Sequence, residues 1–488
     1  MPGDCRVLLV ESEALIRSRR WHRQRLHLVL SAMAHFAAEL RAEGFEVDHR
    51  RAPTLRIGLQ QHLAEFHPRH VIAMEPASWD CRKMLDGLDI DGLDIEGLDI
   101  DVVRNDLFLC HYDDFAEWSR GRKRLTMEDF YRWQRRRLGV LVDDAGGGPE
   151  PVGGQWNFDH DNREPPPRDG RTWPLVERFE LDDIDRAVLD RIPATTFGAD
   201  PDGTWPVTRQ QALVRLNEFI DHGLALFGPH EDAMLADEWK LAHSVLASSM
   251  NIGLLHPSEV VDAAECAYRS GRVPLNSVEG FVRQVIGWRE YVWGVYWLWM
   301  PEYRGRNELG AVRPVPPAFT GDSGTDMACV AGVIGHLHDH GYTHHIERLM
   351  VLGNLALTAG VDPAAMTAWM RASFVDAADW VMLPNVVGMA LFADGGMMAT
   401  KPYASGGAYI NKMSDSCRSC RFDPKLRVGP DACPYTTLYW DFLARNADTF
   451  ASNHRMAQPL AAMRRLSDLP AVRRRAVEVL RRLDDGDL

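Results

Sequence analysis

The apolar residues of this chain change their spacing along the sequence, and that change restricts the folds that the chain can adopt. Up to about residue 110, short apolar runs alternate with amphipathic stretches. The runs CRVLLVE, FEVDHR and HVIAME are typical of strands, whereas residues 22–43 and the stretch LRIGLQQHLAEF are typical of helices, with Gly44 ending the first helix. Strands that alternate with helices form parallel sheets. We therefore predict an α/β N-terminal domain with a Rossmann-like parallel sheet.

The rest of the chain has a different pattern. From Thr126 an amphipathic helix leads into GGGPEPVGGQWNFDHDNREPPPRDG, whose glycine, proline and polar residues are typical of a linker. Beyond about Thr208 the apolar residues recur at i, i+3 and i+4, which indicates an all-α domain. The predicted organisation is an α/β domain over residues 1–125, a helix and interdomain linker over 126–207, and a larger helical domain over 208–488.

Charge is distributed unevenly along the chain. The formal net charge is −14, and residues 86–101 contribute seven acidic and no basic side chains in three copies of a five-residue repeat. Three copies are too few for a solenoid, so we interpret the segment as an inserted surface loop, with calcium binding as the alternative. Arginine-rich clusters at residues 17–25, 120–137 and 464–482 are either solvated helix faces or phosphate-binding surfaces.

No sequence signal indicates a membrane span or export. The longest aromatic stretch, residues 291–300, is about half the length needed to cross a bilayer. The N-terminus MPGDCRVLLVES lacks the basic region, apolar core and cleavage site of a signal peptide. We therefore expect a cytoplasmic protein, in which reduced cysteines bind metals more readily than they form disulfides.

Four cysteines are candidates for a metal centre. Cys417 and Cys420 form a C-x-x-C pair, and Cys433 follows after twelve charged or turn-forming positions. Cys329, at the predicted start of a buried helix, is the best candidate for a fourth ligand. Zinc and an iron–sulfur cluster both accept four thiolates, so the spacing leaves both open, together with a redox-active pair.

The helical half is rich in aromatic and histidine side chains. Most of its tryptophans are expected in a core. His344 and His345 are adjacent, and neighbours on a helix point in different directions. One of the two is therefore a candidate for a buried acid–base group, and a surface pair is the alternative.

These residues belong to an ordered set of motifs through which the chain resembles the prokaryotic (6-4) photolyases, the iron–sulfur branch of the cryptochrome/photolyase flavoproteins. Eight blocks in order over about 200 residues make the resemblance specific. The blocks are FGPHEDAML, LAHSVLASSMNIGLL, VEGFVRQVIGWREYVWGVYW, THHIERLM, LPNVVGM, FADGG, TKPYASGGAYINKMSD and the three-cysteine motif.

The resemblance implies cofactors and site residues. It implies FAD in the helical domain and a 4Fe-4S cluster, rather than zinc, on the four cysteines. The positions matching the FAD site are Ser244, Phe281, Gln284, Arg348, Asp376 and Asn385. Those matching the lesion pocket are His345, as proton donor beside His344, together with Met389, Lys401, Tyr403 and Tyr409. Trp369 and Tyr409 match an electron relay, and Asp159 and Asp232 match acidic positions for a divalent ion such as Mg²⁺.

The implied activity is light-dependent repair of (6-4) pyrimidine photoproducts in ultraviolet-damaged DNA by a monomeric enzyme. Excited reduced flavin injects an electron into a lesion that has swung out of the duplex. A histidine suits the accompanying proton transfer because its surroundings can set its charge near neutral pH. A blue-light-sensing cryptochrome without repair activity and a metal-stabilised DNA-binding protein without flavin are the alternatives.

The chain departs from the family pattern in four places. It has no counterpart of the family's first strand and G-D-Q-L-type loop, which precede the segment that CRVLLVE resembles. That strand is central in the usual order, so its loss would remove hydrogen-bond partners from both neighbours. Either the start is misassigned or the site of the ribityllumazine antenna usual in this branch is compromised. The other departures are Phe319 for a relay tryptophan, Met382 for a polar residue facing flavin N5, and Ala247 for a serine at the FAD phosphates.

Overall fold

The N-terminal part alternates strands and helices. A computed structural model describes residues 5–87, 99–144 and 148–488 of the protein. The strands of this part are β1 (Arg6–Ser12), β2 (Glu46–Ala52), β3 (His70–Met74) and β4 (Asp99–Val103). Its helices are α1 (Glu13–Arg17), α2 (Arg23–Ala42), α3 (Leu55–Phe66), α4 (Trp79–Asp86) and α5 (Tyr112–Ser119). The predicted strands and helices are thereby confirmed to within a few residues.

Local side-chain chemistry explains where these helices begin and end. Thr54 accepts a hydrogen bond from the backbone N–H of Ile57 and so caps α3. Gly44, at φ 90°, follows α2 in the left-handed conformation that glycine adopts without strain. These caps fix the element boundaries that the sequence pattern predicts.

The strands are parallel as predicted, but they form two sheets instead of one. β1 pairs with β2 in register Arg6↔Glu46, and β3 pairs with β4 in register Val71↔Ile100. Within the described residues no ladder joins β1 to β3. In the described chain each of these two sheets therefore consists of two edge strands. Parallel sheets are normally covered on both faces, yet Ile72 of β3 is 66% exposed.

The acidic repeat lies mostly outside the described residues. Asp86 ends α4, and Asp99–Asp101, the last residues of the segment predicted as a loop, belong to β4 instead. Their pairing with β3 is the physical reason for this correction. The loop assignment for positions 88–98 falls where the structure gives no description.

The connecting region begins with a regular helix and continues as irregular chain. α6 (Met127–Leu138) is capped by Thr126, as predicted, and ends at Gly139. An antiparallel pair, β5 (Val142–Asp144) and β6 (Pro149–Pro151), and the short helix α7 (Asp183–Leu189) interrupt the predicted linker.

The C-terminal part is helical throughout, as predicted. Its helices are α8 (Arg209–Glu218), α9 (Leu224–His230), α10 (Ala247–Asn251), α11 (Pro257–Arg269), α12 (Leu275–Val282), α13 (Glu290–Trp299), α14 (Pro317–Thr320), α15 (Ala328–His340), α16 (Asn354–Ala359), α17 (Pro363–Ser373), α18 (Asp379–Pro384), α19 (Gly407–Met413), α20 (Pro434–Arg445), α21 (Ala457–Arg464) and α22 (Leu469–Asp485). Wider π-helical turns lie at Phe219–Gly223, Arg283–Arg289, Glu347–Gly353 and Asn385–Ala390. None of the helices in the described chain is both long and apolar enough to cross a bilayer.

Aromatic packing joins the N-terminal part to α13. The ring of Phe108 stacks on Trp293, with centroids 3.8 Å apart and planes 5° from parallel. Glu290 accepts a hydrogen bond of 2.8 Å from the backbone N–H of Cys110. Tyr296 accepts one of 2.8 Å from the backbone N–H of Trp79. Through these contacts α13 packs against the N-terminal part as well as against its own helical part.

Substituting Gly294 tests this packing of α13. A Cβ at Gly294 of α13 would lie 2.1 Å from the buried ring of Phe115 in α5. We expect Gly294→Ala to lower the free energy of unfolding by about 1–3 kcal/mol, because either the ring or the helix must move. Thermal denaturation measures the effect. Gly305→Ala is the matched control, since no atom lies within 4 Å of its added Cβ, and equal melting temperatures in the two variants would contradict the prediction.

Candidate functional site

The four predicted cysteine ligands converge on one pocket. Cys329 lies at the start of α15, Cys417 in the turn Ser416–Arg418, Cys420 just after it, and Cys433 immediately before α20. All four line the same pocket. Burial and, after it, the neighbouring sulfurs of Cys433 and Cys420 raise the pKa of Cys417 to about 12. The thiols therefore resist ionisation together unless a cation offsets their mutual repulsion.

The spacing of the sulfurs is wider than a single zinc ion needs. In the described residues, three potential ligand atoms lie within 4.8 Å of one another only at His35, Asp182 and Asp185. Tetrahedral zinc holds its sulfur ligands about 3.8 Å apart, as Zn–S bonds of about 2.3 Å require. Among the described residues, no three of the cysteine sulfurs lie that close to one another.

Two neighbours shape the cysteine pocket. A Cβ at Gly407 would lie 2.8 Å from the sulfur of Cys433, so any residue other than glycine would crowd that sulfur. Tyr435 is fully buried against the site and donates a hydrogen bond of 2.9 Å to the backbone oxygen of Val351. Val351 lies in the turn that also carries Arg348. The cysteine pocket is therefore packed directly against the next group of candidate residues.

Arg348 and Asp376, both predicted to bind FAD, are brought together. Their side chains form a bidentate ion pair with N···O distances of 2.9 and 3.0 Å. The guanidinium lies 4.0 Å from the ring centroid of Phe374, and its Nε donates to the backbone oxygen of Thr343. This fixed, half-buried pair is the polar anchor of the site.

The other predicted FAD residues have local partners. Asn385 and Gln284 each donate to a backbone oxygen four residues earlier, and Ser244 accepts from the backbone N–H of Leu246. Phe281 is instead buried in the core against Phe219, with ring centroids 4.8 Å apart. Packing with other apolar side chains accounts for Phe281 without a ligand.

The adjacent histidines face different surroundings, as predicted for neighbours on a helix. His344 is fully buried and stacks on His243, with centroids 4.6 Å apart. His345 is exposed to solvent although many protein atoms surround it. Desolvation by these atoms, with a smaller contribution from Arg348, lowers the pKa of His345 to about 4. His345 is therefore neutral at neutral pH.

Several buried polar atoms around this pocket have no partner in the protein. They include both ring nitrogens of His344, the hydroxyl of Thr343, the indole nitrogen of Trp369, and the hydroxyls of Ser248 and Ser249 beside Ala247. A buried polar group without a hydrogen bond costs about 1–3 kcal/mol. Their number here fits a polar ligand that would supply the missing partners.

An acidic cluster lies beside the predicted lesion-binding tyrosines. Arg283 contacts Asp159 at 3.0 Å, Glu279 at 3.5 Å and Glu231 at 3.7 Å. Burial raises the pKa of Glu231 to about 8 and that of Asp232 to about 6. Tyr403 and Tyr409 are close enough to Asp232 for its charge to act on them. Asp159 and Asp232 thus share one region, where protonation or a cation offsets their excess negative charge.

The remaining predicted positions are separated from one another. Trp369 packs on Phe319 with ring centroids 5.2 Å apart, and no ring contact in the described chain joins Trp369 to Tyr409. Tyr409 lies instead near Asp232. Met389 is buried and Lys401 is exposed. The two relay candidates therefore do not form a contiguous pair.

Residues that the sequence reasoning missed also belong to this region. The buried Glu347 and the partly exposed His336 form a pair beside His344, and Arg283 organises the acidic cluster. The π-helical turns carry Gln284, Arg348, Asn385 and Met389, and such turns are frequent at functional sites. A glutamate two residues after paired histidines was a visible signal, whereas π-helical turns leave no periodic signature.

Comparisons with known proteins show which family the chain resembles. Residues 2–201 match the family described as deoxyribodipyrimidine photo-lyase-related protein. A (6-4) photolyase from Agrobacterium fabrum is 44% identical over 474 residues, covering 95% of this chain and 92% of that protein. An uncharacterised mimivirus protein, R855, is 37% identical over 101 residues, covering 21% of this chain and 75% of that protein.

The fold has a solved counterpart. The crystal structure of a bacterial class III photolyase from Agrobacterium tumefaciens matches 98% of this chain and 92% of that chain with a TM-score of 0.59 at 17% sequence identity. At 17% sequence identity this structural match concerns the fold alone. The family is shown instead by the 44% identity to the Agrobacterium fabrum protein over nearly the whole chain. The chain therefore belongs to the bacterial (6-4) photolyase family.

Proposed function

We propose that this protein repairs (6-4) pyrimidine photoproducts in DNA under blue light, with FAD and a 4Fe-4S cluster as its cofactors. The observation that carries the proposal is the position of His345 close to Arg348, which forms an ion pair with Asp376. It occurs in a chain 44% identical to a (6-4) photolyase. When bound, FAD supplies light-driven electron transfer to the lesion.

The chain's own residues would hold the flavin and keep its pocket dry. Arg348, Asp376 and Asn385 supply a charged pair and an amide, and the free hydroxyls of Ser248 and Ser249 supply further donors near the position of Ala247. The buried Met382 places an apolar side chain in this region instead of the family's polar one. Water exclusion strengthens each polar contact because the local dielectric constant is low.

His345 is the proposed proton donor. Because its pKa is lowered to about 4, His345 must gain a proton when substrate arrives. An anionic ligand near the imidazole would raise that pKa, because opposite charge favours the protonated form. Substrate binding would therefore charge the donor only when the proton is needed.

The neighbouring surface suits a flipped nucleotide. Tyr403 and Tyr409 supply aromatic faces, and Arg163 and Arg455 are close enough for their charges to act on Tyr403. Aromatic faces stack bases, and guanidinium groups bind phosphates. Asp159 already contacts Arg283 and Arg163, so a Mg²⁺ ion here would compete with two guanidinium groups.

A repair assay tests the proposal. Purified protein is illuminated with blue light in the presence of a reductant and a duplex containing one (6-4) photoproduct. Chromatography of the digested DNA should show restored pyrimidines only in the illuminated sample. Flavin-loaded protein that leaves the lesion intact would contradict the proposal.

A blue-light-sensing cryptochrome without repair activity is the second candidate. The departure that bears on the flavin's photoreduction is Phe319, which packs on Trp369 with a ring that is hard to oxidise. Photoreduction through Trp369 would then be slow, whereas repair by chemically reduced protein would be unaffected. Lesion turnover in the assay above separates the two functions.

A further inference from the structure

We propose that His336 and Glu347 form a proton relay that sets the protonation of His344, the neighbour of the proposed donor His345. The inference rests on the proposed function, because only a reaction that moves protons in this pocket needs such a supply. Glu347 is a positioning residue here, since it acts through His344.

The two ring nitrogens of His336 have different partners. Nε2 lies 3.0 Å from the backbone oxygen of Ala236, and a carbonyl oxygen only accepts, so Nε2 carries a hydrogen. Nδ1 lies 3.1 Å from Oε1 of Glu347. A hydrogen bond between these atoms requires one proton, on the imidazolium or on the carboxyl group. The pair therefore holds a single proton that can move between them.

Glu347 extends from this pair towards His344. Its Oε1 lies 3.7 Å from Nε2 of His344, just beyond hydrogen-bond distance, and its Oε2 has no partner. Both nitrogens of His344 also lack partners, and both residues are buried. A small rotation of the Glu347 side chain would bring its carboxyl group within hydrogen-bond distance of the His344 ring. Both groups are buried without that hydrogen bond, which costs free energy.

The transfer balances without a redox partner. The O–H bond of protonated Glu347 breaks as an N–H bond forms on Nε2 of His344. This leaves His336 neutral and Glu347 as a carboxylate. The partly exposed His336 then takes up one proton from solvent on Nδ1, so the pair again holds the single proton with which it began. The chain thus connects solvent to the buried His344.

The surrounding charges support this direction. Although burial opposes it, the hydrogen bond that His336 donates to Glu347 raises the pKa of His336, and burial raises the pKa of Glu347. Burial lowers the pKa of His344 well below its usual value. The proton therefore rests on the His336–Glu347 pair. The charged or titratable groups facing the relay are Asp339, Glu238, His340, Tyr342, Arg348, His243, His345 and, behind His243, Lys240.

Glu347→Gln tests the relay, because glutamine keeps the shape and cannot carry the proton. Imidazole nitrogen resonances are followed by NMR between pH 5 and 9 in histidine-labelled protein without DNA or light. We expect the pKa of His336 to fall in this variant. In illuminated, flavin-loaded protein we expect a repair rate at least tenfold lower, with a changed pH profile. Glu290→Gln, which alters another buried carboxylate, should change neither readout.

The outcomes separate the relay from the proposed function. If the wild type does not repair DNA, the proposed function fails, and the NMR titration alone decides the coupling. An unchanged His336 titration in Glu347→Gln, or an unchanged pH profile of repair, would overturn the relay. Should Glu347→Gln fail to fold, His336→Gln is used instead, and it should lower the repair rate by a similar factor.

Discussion

Cys420→Ser is expected to produce protein without iron and with much lower stability, even though Cys420 lies far along the chain from Cys329. A metal centre bound to Cys329 and Cys433 closes a loop of roughly a hundred residues. Such a cross-link stabilises the folded state by about 4–5 kcal/mol in the chain-entropy description. A serine hydroxyl remains protonated and cannot replace the lost thiolate, so the proposed cluster would be lost together with its cross-link.

Iron content, the visible absorption of the cluster and the melting temperature measure this effect in anaerobically purified protein. Cys266→Ser is the matched control, since Cys266 is exposed and lies outside the four-cysteine pocket. It should retain iron and the wild-type melting temperature. Cys420→Ser protein that is soluble, free of iron and as stable as the wild type would contradict the structural role of the centre.

The cysteine pocket shows which of its residues could be predicted from the sequence and which contact could not. The spacing predicted Cys417, Cys420 and Cys433 as ligands, and Cys329, at the start of a predicted buried helix, was the candidate for the fourth. In the structure all four line one pocket. Cys329 is far from the others along the chain, so its partnership depends on the packing of α15 against the turn at Ser416–Arg418. Periodicity within a helix contains no information about such a contact.

The fold was predictable where local patterns dominate. The helix caps Thr54, Thr126 and Thr208 mark the starts of α3, α6 and α8 as the pattern indicates. Strand pairing is decided by partners distant in sequence, so the alternation of strands and helices predicted one parallel sheet and not the observed division into two. The exposure of Ile72 on β3 accompanies this division into two sheets, and no local sequence pattern predicts it.

The arrangement of the candidate site could not be predicted from the sequence. Arg348 and Asp376 form an ion pair that the resemblance did not include, whereas Phe281 belongs to the core and Tyr409 lies near Asp232, away from Trp369. Glu347 was missed because a glutamate on a helix is usually solvated, and only the packing of α15 shows that this one is buried.

His345→Ala is expected to lower the repair rate by about 10²–10⁴-fold while leaving flavin bound. That factor is typical for loss of a positioned acid–base group. Flavin should remain because the Arg348–Asp376 ion pair does not involve the imidazole. Repair by the wild type should weaken as pH rises, since the lowered pKa of His345 makes its protonated form scarcer at higher pH.

Flavin absorbance and repair per absorbed photon, both measured across pH, check this expectation. His338→Ala is the matched control, because it removes an exposed imidazole from α15 while keeping the backbone oxygen that bonds His22. It should repair at the wild-type rate. If His345→Ala repaired lesions as fast as the wild type, the proton would have to come from another group. Glu231 would then be the first to test, because its pKa of about 8 leaves it protonated at neutral pH.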